Sequence, residues 1–204
     1  MARYTGPKVK ISRRLNVNVF ENDKGQRMLD RKPYPPGEHG RDRRRQPSEY
    51  LLQLQEKQKA KYIYGLLEKQ FLNLYKEATR QQGVTGENLL RMLEQRLDNV
   101  AFRAGWASTR PQARQFVNHG LVKVNGKRVD IPSYRLRKGD VVSPGDKGRG
   151  MIVIRHNLDT IDRRTPDWLN VGDDGFQATV LELPTRAQID VPVREQLIVE
   201  LYSK

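Results

Sequence analysis

Residues 109–140 read TRPQARQFVNHGLVKVNGKRVDIPSYRLRKGD, and this stretch predicts a short helix followed by a β-hairpin. Thr109 and Gln112 have the spacing of a capping box, in which each side chain binds the backbone N–H of the other residue. Pro111 lies in the first turn, where a helix needs no N–H donor from it. Gly120 suits the left-handed position just past a helix end. The pattern therefore predicts a helix that ends before Gly120.

The hairpin is predicted by Asn125-Gly126, which stands between two short runs of alternating apolar and polar residues. A type I′ turn needs positive φ at both central residues, and the Asn-Gly pair accommodates it. A two-residue loop then places Lys123 directly opposite Arg128, although like charges in that position destabilise a sheet. Two interpretations stay open: an anion lies across the pair, or the two flexible side chains splay apart into water.

Arginines also follow the predicted helix. Arg110 and Arg114 are four residues apart and therefore share one face. An ordinary solvated face is one interpretation of this pair, and a surface continuous with the cations of the hairpin is the other. Positive charge on two adjoining rigid elements suits the phosphate backbone of folded RNA.

The composition is strongly basic. The 204-residue chain has 38 Lys and Arg against 24 Asp and Glu, a net charge of +14 and an isoelectric point near 10.1. Such a balance is typical of proteins that bind polyanions. Residues 1–50 carry 13 basic and 6 acidic side chains and residues 51–150 carry 19 and 9, whereas residues 151–204 carry 6 and 9. We therefore expect the last quarter to pack on protein rather than to form the main RNA surface.

The same composition excludes several classes of site. The chain has no cysteine, which rules out disulfides and thiolate metal sites. Its three histidines lie far apart in sequence and have no metal-ligand spacing. The first residues are basic and polar, and no apolar run approaches the roughly 20 residues that span a bilayer. We expect a soluble, cytoplasmic protein with no metal, no cofactor and no membrane partner.

Helical signals precede the hairpin. Ser48 predicts the cap of a helix, and Gly65 divides the apolar pattern that follows into two helices. A further single helix is expected from Glu87 to Arg103. Within it, Asp98 is interpreted as a structural acid that orients arginines.

The rest of the chain gives weaker signals. Residues 1–46 have few periodic apolar positions and predict no packed unit, with Pro33–Pro36 as a stiff extended strip that ends in a turn at Gly37. A disordered tail is the alternative for this segment. Beyond the hairpin the sequence predicts a strand at Val141-Val142, a helix over Met151–Ile161, a strand over Phe176–Leu183 and a C-terminal helix over Glu195–Tyr202.

Several motifs carry a resemblance to a known family. The run from Glu87 to Val142, with RLDNV, VNG and IPSYR, resembles the S-four RNA-binding domain. The start MARYTGPK, the strip KPYPPGEHG, the helix SEYLLQLQEKQK and the end EQLIVELYSK are similar to bacterial small-subunit ribosomal protein four. These motifs occur in order over essentially the whole chain, which is more specific than any one of them.

The resemblance implies a mostly helical α+β fold in three parts. Residues 1–46 form a basic N-terminal arm, and residues 47–86 form a helical domain that the C-terminal segment 184–204 completes. Residues 87–183 form the S-four domain with its extension, made of helices and a small antiparallel sheet. Many members of the family hold zinc in the arm through cysteines, whereas this chain resembles the cysteine-free variant. Ser12, Gln26 and Arg31 lie where ligands would be expected, and none is a good zinc ligand.

The resemblance also implies a function. A structural, non-enzymatic protein of the small ribosomal subunit would bind ribosomal RNA early, hold a multi-helix junction in its final geometry and so nucleate assembly. The family contacts ribosomal protein five, at an interface linked to decoding accuracy. With protein three it lines the channel through which messenger RNA enters.

The side chains expected to act in these roles are mostly cations. Arg43, Arg44 and Arg45 are expected to face messenger RNA at its channel. Those expected to contact ribosomal RNA are Arg3, Lys8, Lys10, Arg13, Arg14, His39, Lys57, Lys61, Arg96, Arg110, Arg114, His119, Lys123, Lys127, Arg128 and Arg135.

Two alternative functions use the same S-four module. An RNA-modifying enzyme or a tyrosyl-tRNA synthetase would need a large catalytic domain, and the chain has no nucleophile–base pair, Gly-rich phosphate loop or paired-carboxylate motif. A stress or recycling factor would need neither the basic arm nor the C-terminal motif. Both features therefore favour the ribosomal protein.

Overall fold

A computed structural model describes residues 4–42, 46–161 and 163–203 of the chain. The helices are α1 (Lys8–Leu15), α2 (Asp23–Arg31), α3 (Glu49–Ile63), α4 (Glu68–Arg80), α5 (Thr85–Glu94), α6 (Leu97–Arg103), α7 (Arg110–Asn118), α8 (Asp146–Arg149), α9 (Ile152–Thr160) and α10 (Glu195–Tyr202). The strands are β1 (Val122–Val124), β2 (Lys127–Arg128), β3 (Val141–Pro144), β4 (Leu169–Val171) and β5 (Ala178–Val180). Short 3₁₀ turns lie at Glu38–Arg41 and Arg186–Gln188. The expected α+β class, mostly helical, is confirmed.

The chain divides into two compact units. Unit 1 contains residues up to Gly86 and from Val191 onward, and unit 2 contains Glu87–Asp190. In unit 1, α10 packs along α3, and Gln53 of α3 donates a hydrogen bond of 3.1 Å to Glu200 of α10. The C-terminal segment thus packs on helices that lie far from it in sequence.

Packing in the N-terminal segment corrects the prediction that residues 1–46 contain no packed unit. Helices α1 and α2 pack against each other, and α1 also contacts α3. Tyr4 and Phe20 lie beside Tyr62 of α3, with ring centroids 5.2 and 6.2 Å from it. These aromatic contacts join residues more than forty positions apart, so the local periodicity of the arm gave no sign of them.

Unit 2 is built on a five-stranded antiparallel sheet in the order β2-β1-β3-β5-β4. Its core contains Trp106 and Trp168, both 1% exposed, and the fully buried Phe102. The sheet is completed by β4, which the sequence did not predict, and by β5, which is shorter than the expected strand over Phe176–Leu183. The predicted helix over Met151–Ile161 is confirmed as α9.

The predicted single helix from Glu87 to Arg103 is wrong, because α5 and α6 are separate. Arg96 has extended backbone angles, and the first N–H groups of α6 find acceptors outside the helix. Leu97 N donates to Tyr134 O at 2.9 Å, and Asp98 N donates to Pro132 O at 3.2 Å. The corner after the hairpin therefore caps α6 and interrupts the helix before it.

The helix and hairpin of residues 109–128 form as predicted. Gly120 has φ +67° just after α7, and Asn125 and Gly126 have φ +49° and +79° at the hairpin turn. The predicted capping box between Thr109 and Gln112 is wrong. The structure shows no side-chain cap from Thr109, and the Gln112 side-chain oxygen instead accepts hydrogen bonds from the N–H and hydroxyl of Ser108 at 2.7 and 2.8 Å.

Candidate RNA interface

Two of the predicted RNA-binding arginines lie inside unit 2. Arg96 donates from Nε and Nη2 to the two carboxylate oxygens of Asp98, at 3.0 and 2.7 Å. Arg114 donates to the same carboxylate at 3.2 Å. The side chains of Arg96, Arg114 and Asp98 are 6%, 12% and 7% exposed. Burial lowers the pKa of Arg114 from its ordinary value, and the charge of Asp98 opposes that change. The interpretation of Asp98 as an acid that orients arginines is confirmed.

Arg110 also points into the fold. Its Nε donates to the side-chain oxygen of Asn99 at 3.0 Å, and its guanidinium lies 4.3 Å from the ring centroid of Phe102. Asn99 in turn donates a hydrogen bond of 2.7 Å to the carboxylate of Glu94, and that carboxylate also forms an ion pair of 2.9 Å with Arg103. The shared face of Arg110 and Arg114 is therefore neither a solvated face nor an open cationic surface. It holds α7 against α6.

Exposed basic side chains lie where α7 meets the hairpin. His119, Lys127 and Arg128 are exposed, and the Arg128 guanidinium lies over Gly120. Glycine is favoured at this position by its positive φ, whereas the flexible Arg128 guanidinium that an added Cβ would meet can move aside. Because the last carbonyls of a helix carry partial negative charge, the end of α7 also favours a cation at this position. The helix end and β2 together hold Arg128 at the surface.

The predicted pairing of Lys123 with Arg128 across the hairpin is confirmed. The structure adds an acid that the sequence did not indicate: Lys123 Nζ lies 3.0 Å from the carboxylate of Asp146. One interpretation of the Lys123–Arg128 pair was that an external anion lies across it. In the structure the carboxylate of Asp146 supplies a negative charge beside Lys123. It lies 23 residues from Lys123, which is too far for any local pattern to link the two.

Lys57 and Lys61, both expected to contact ribosomal RNA, share one face of α3 and bind Glu68 of unit 1. Their Nζ atoms lie 2.6 and 3.1 Å from its carboxylate oxygens, and Tyr202 donates to it at 3.0 Å. Burial alone would raise the pKa of Glu68, but hydrogen bonds from the two lysines outweigh it and lower the pKa. Burial and the same carboxylate raise the pKa of Tyr202. The two lysines thus tie α3 to the start of α4.

The cations of α1 differ in exposure: some are exposed to solvent and one binds other parts of the arm. Lys10 and Arg14 are exposed on one face, and Lys8 lies 5.6 Å from the ring centroid of Phe20. Arg13 instead donates to the carbonyls of Tyr34 and Pro35 at 3.1 and 3.2 Å. Arg13 thereby fixes the proline-rich strip to α1.

The remaining predicted residues have varied surroundings. His39 is exposed, and its Nδ1 lies 2.7 Å from the carboxylate of Asp42. Arg135 is half-buried and forms a backbone bridge with Arg96. Arg3 and Arg43–Arg45 lie outside the described residues.

Three residues lie where the resemblance would place zinc ligands, and none of them suits that role. Ser12 is buried, the Gln26 side chain donates to Asp30 at 3.0 Å, and Arg31 is exposed. None of them supplies a thiolate or an imidazole, so these residues do not fit zinc. Among residues 4–42, 46–161 and 163–203, no cluster of three or more His, Cys, Asp or Glu side chains is arranged to bind a metal ion. In the same part of the chain no helix is long and apolar enough to cross a bilayer.

Known proteins match the chain along its whole length. Residues 3–94 match the model of the ribosomal protein S4/S9 N-terminal domain, and residues 95–142 match the S4 domain. The small ribosomal subunit protein uS4 of Thermoanaerobacter sp. (strain X514) is 50% identical over 208 residues. Those of Rhodococcus opacus (strain B4) and Corynebacterium aurimucosum are 55% and 53% identical over 205 residues. Each alignment covers 100% of both chains.

Because Lys123 is paired with Asp146, we predict that Arg128 neutralises an RNA phosphate and that Lys123 does not. Arg128→Ala should make the dependence of RNA affinity on salt less steep by roughly 0.7–0.9 in log–log slope, as expected when one phosphate fewer is neutralised. Lys123→Ala removes the same charge from a lysine that a carboxylate already neutralises, and should leave the slope near that of the unmodified protein. The measurement is filter binding to small-subunit ribosomal RNA over a salt series. Equal slope changes in the two variants would show that Asp146 does not distinguish them.

Proposed function

The chain belongs to the uS4 family of small ribosomal subunit proteins, and on that premise we propose that it is a structural protein that binds ribosomal RNA within the small subunit. We propose that it does so in the cytoplasm and without catalysing a reaction. The observation that carries the proposal is the division of its cations. Some are buried and build the fold, while others stay exposed on the helices and strands that the buried ones fix in place.

The mechanism follows from that division. His119, Lys127 and Arg128 are exposed at the end of α7 and on the hairpin, while the buried pair of Arg114 with Asp98 fixes α7 against α6. Lysine and arginine side chains neutralise phosphates and release counterions, which provides affinity that does not depend on sequence. Specificity comes from the fixed positions of the cations, which fit one path of the RNA backbone.

A role in assembly extends the same mechanism. Each unit has exposed cations of its own, Lys10 and Arg14 on α1 and Lys127 and Arg128 on the hairpin. One chain can therefore bind more than one RNA helix. We infer that it binds early and holds a multi-helix junction in its final geometry, and that this binding nucleates assembly of the small subunit.

Contacts with neighbouring proteins are part of the proposal. Tyr50, Leu51 and Leu52, at the start of α3, are 58%, 40% and 41% exposed. Contiguous exposed apolar side chains mark interaction surfaces, and aromatic residues are enriched at interfaces between proteins. They support a contact with a neighbouring protein, and we propose that this neighbour is ribosomal protein five and that the contact contributes to decoding accuracy. Ribosomal protein three is proposed as the neighbour at the channel through which messenger RNA enters.

The proposed RNA binding predicts both selectivity and strong salt dependence. For on the order of six phosphate contacts, affinity for small-subunit ribosomal RNA should fall by about a thousandfold between 50 and 200 mM salt. Because fixed cations select backbone shape, a preference over large-subunit ribosomal RNA fragments of equal length should persist at the higher salt. Filter binding with both RNAs measures this. A slope near −1 in the plot of log affinity against log salt concentration, together with equal affinity for the two RNAs, would refute the proposed function.

Arg43–Arg45 are proposed to bind messenger RNA at its channel. Three neighbouring guanidinium groups bind a moving single strand through its backbone charge and through stacking, without reading its sequence. Replacing all three by alanine should spare assembly and slow translation through stable messenger hairpins. The matched control replaces Lys24, Arg27 and Arg31, three exposed cations of α2.

The comparison uses assembled mutant subunits on structured and unstructured messengers. Slowing confined to the structured messenger and to the Arg43–Arg45 variant is the expected result. Rates equal to those of the unmodified protein on both messengers would remove these arginines from the channel. Failed assembly would instead place them on the ribosomal RNA surface.

A further inference from the structure

Two turns that are separate in sequence are joined at one end of the sheet in unit 2. The side chain of Asn125, in the hairpin turn, donates to a carboxylate oxygen of Asp140 at 2.9 Å. The other carboxylate oxygen of Asp140 accepts from the backbone N–H of Arg137 at 2.7 Å. Asn125 also accepts from Val141 N at 2.9 Å and donates its own N–H to Val141 O at 2.8 Å. Asn125 and Asp140 thus clamp the hairpin turn to the turn of residues 137–140.

The second turn is held from its other side by the sheet. Gly139 N donates to Val180 O at 2.8 Å, and Val180 N donates to Asp140 O at 3.0 Å. Asn125 adopts φ +49°, a left-handed conformation that asparagine tolerates better than most residues other than glycine. The clamp therefore fixes the position of backbone that would otherwise be an exposed loop.

Three cations surround this clamp. Lys127 is two residues beyond Asn125, and Arg137 and Lys138 belong to the second turn; all three are exposed. Among the residues that the structure describes, none of the three has a carboxylate within ion-pair distance. Added Cβ atoms at Gly126 and Gly139 would meet nothing within 4 Å, so both turns face open space. We call Lys127, Arg137 and Lys138 the two-turn cluster.

We propose that Arg137 and Lys138 of the two-turn cluster, together with Lys127, bind the phosphodiester backbone of RNA, and that Asn125 and Asp140 are the positioning residues of this site. The inference rests on the proposed RNA binding and extends the surface from the hairpin to the turn of residues 137–140. Asp140 carries a negative charge, yet neutral donors occupy both of its oxygens. Its carboxylate thus holds the two turns and forms no ion pair with the cations of the cluster, although its charge lies beside them.

The opposing effects of Asp140 give the sharpest test. Asp140→Asn removes a negative charge beside the cluster, so electrostatics alone predicts tighter RNA binding. The new amide would place an NH₂ group against one of two donors, either Asn125 Nδ2 or Arg137 N, and would break that hydrogen bond. If positioning matters more, Asp140→Asn binds small-subunit ribosomal RNA several-fold more weakly. Tryptophan fluorescence melting of the same variant verifies that unit 2 stays folded.

The second arm of the test removes the cations. Arg137→Ala with Lys138→Ala should make the log–log salt slope less steep by roughly 0.7–0.9 for each phosphate that is no longer neutralised. The matched control, Lys69→Ala with Lys76→Ala, removes two exposed charges from α4 and should change the slope less. All variants are full-length chains and the probe is small-subunit ribosomal RNA.

The outcomes separate this site from the wider proposal. Slopes for the Arg137/Lys138 variant equal to those of the unmodified protein, or equal to those of the control pair, would overturn the phosphate site. Tighter binding by Asp140→Asn would overturn the positioning role. In those cases the selectivity of the unmodified chain for small-subunit RNA is untouched, whereas loss of that selectivity would overturn the proposed function and this site together.

Discussion

One buried carboxylate, that of Asp98, is the constraint on which the arrangement of α6, α7 and the corner after the hairpin depends. Its oxygens bind Arg96 and Arg114, and its backbone N–H donates to Pro132 O. Those contacts join the start of α6, the face of α7 and the corner that follows the hairpin. Charged groups out of water are tolerated only with close partners, so two interior arginines require this acid. Without it, α7 would lose its ion pair to α6, and two interior arginines would be left without an acid.

The division of cations follows from that constraint and links fold to function. Arg110 and Arg114 face inward on α7, where they bind an amide, an aromatic ring and a carboxylate. The same helix ends at Asn118, and just beyond it His119 is exposed and the Arg128 guanidinium lies over Gly120. A basic protein of this kind uses part of its positive charge as internal structure, so its 38 Lys and Arg side chains overstate the number of cations available to RNA. The exposed charge is smaller in amount but fixed in place.

The sequence predicted the features that depend on neighbouring residues. Ser48 caps α3 through Leu51 N at 3.3 Å, and the turns at Gly120 and Asn125-Gly126 form as their backbone preferences require. What failed depended on residues far away in sequence. The break before α6 is caused by carbonyls of the corner more than thirty residues later, and the burial of predicted RNA-binding arginines by partners on other elements. An arginine four residues from another has the same local pattern whether it meets solvent or a buried acid.

The most direct test is the unfolding of unit 2 in urea, followed by tryptophan fluorescence. Both tryptophans of the chain, Trp106 and Trp168, are buried in that unit, so the signal reports on it alone. Asp98→Ala leaves two buried guanidinium groups without their acid and should lower the free energy of unfolding by about 3–5 kcal/mol. Asp159→Ala, which removes an exposed carboxylate, should change it by less than about 0.5 kcal/mol. Equal, small changes in both variants would contradict the central role of Asp98.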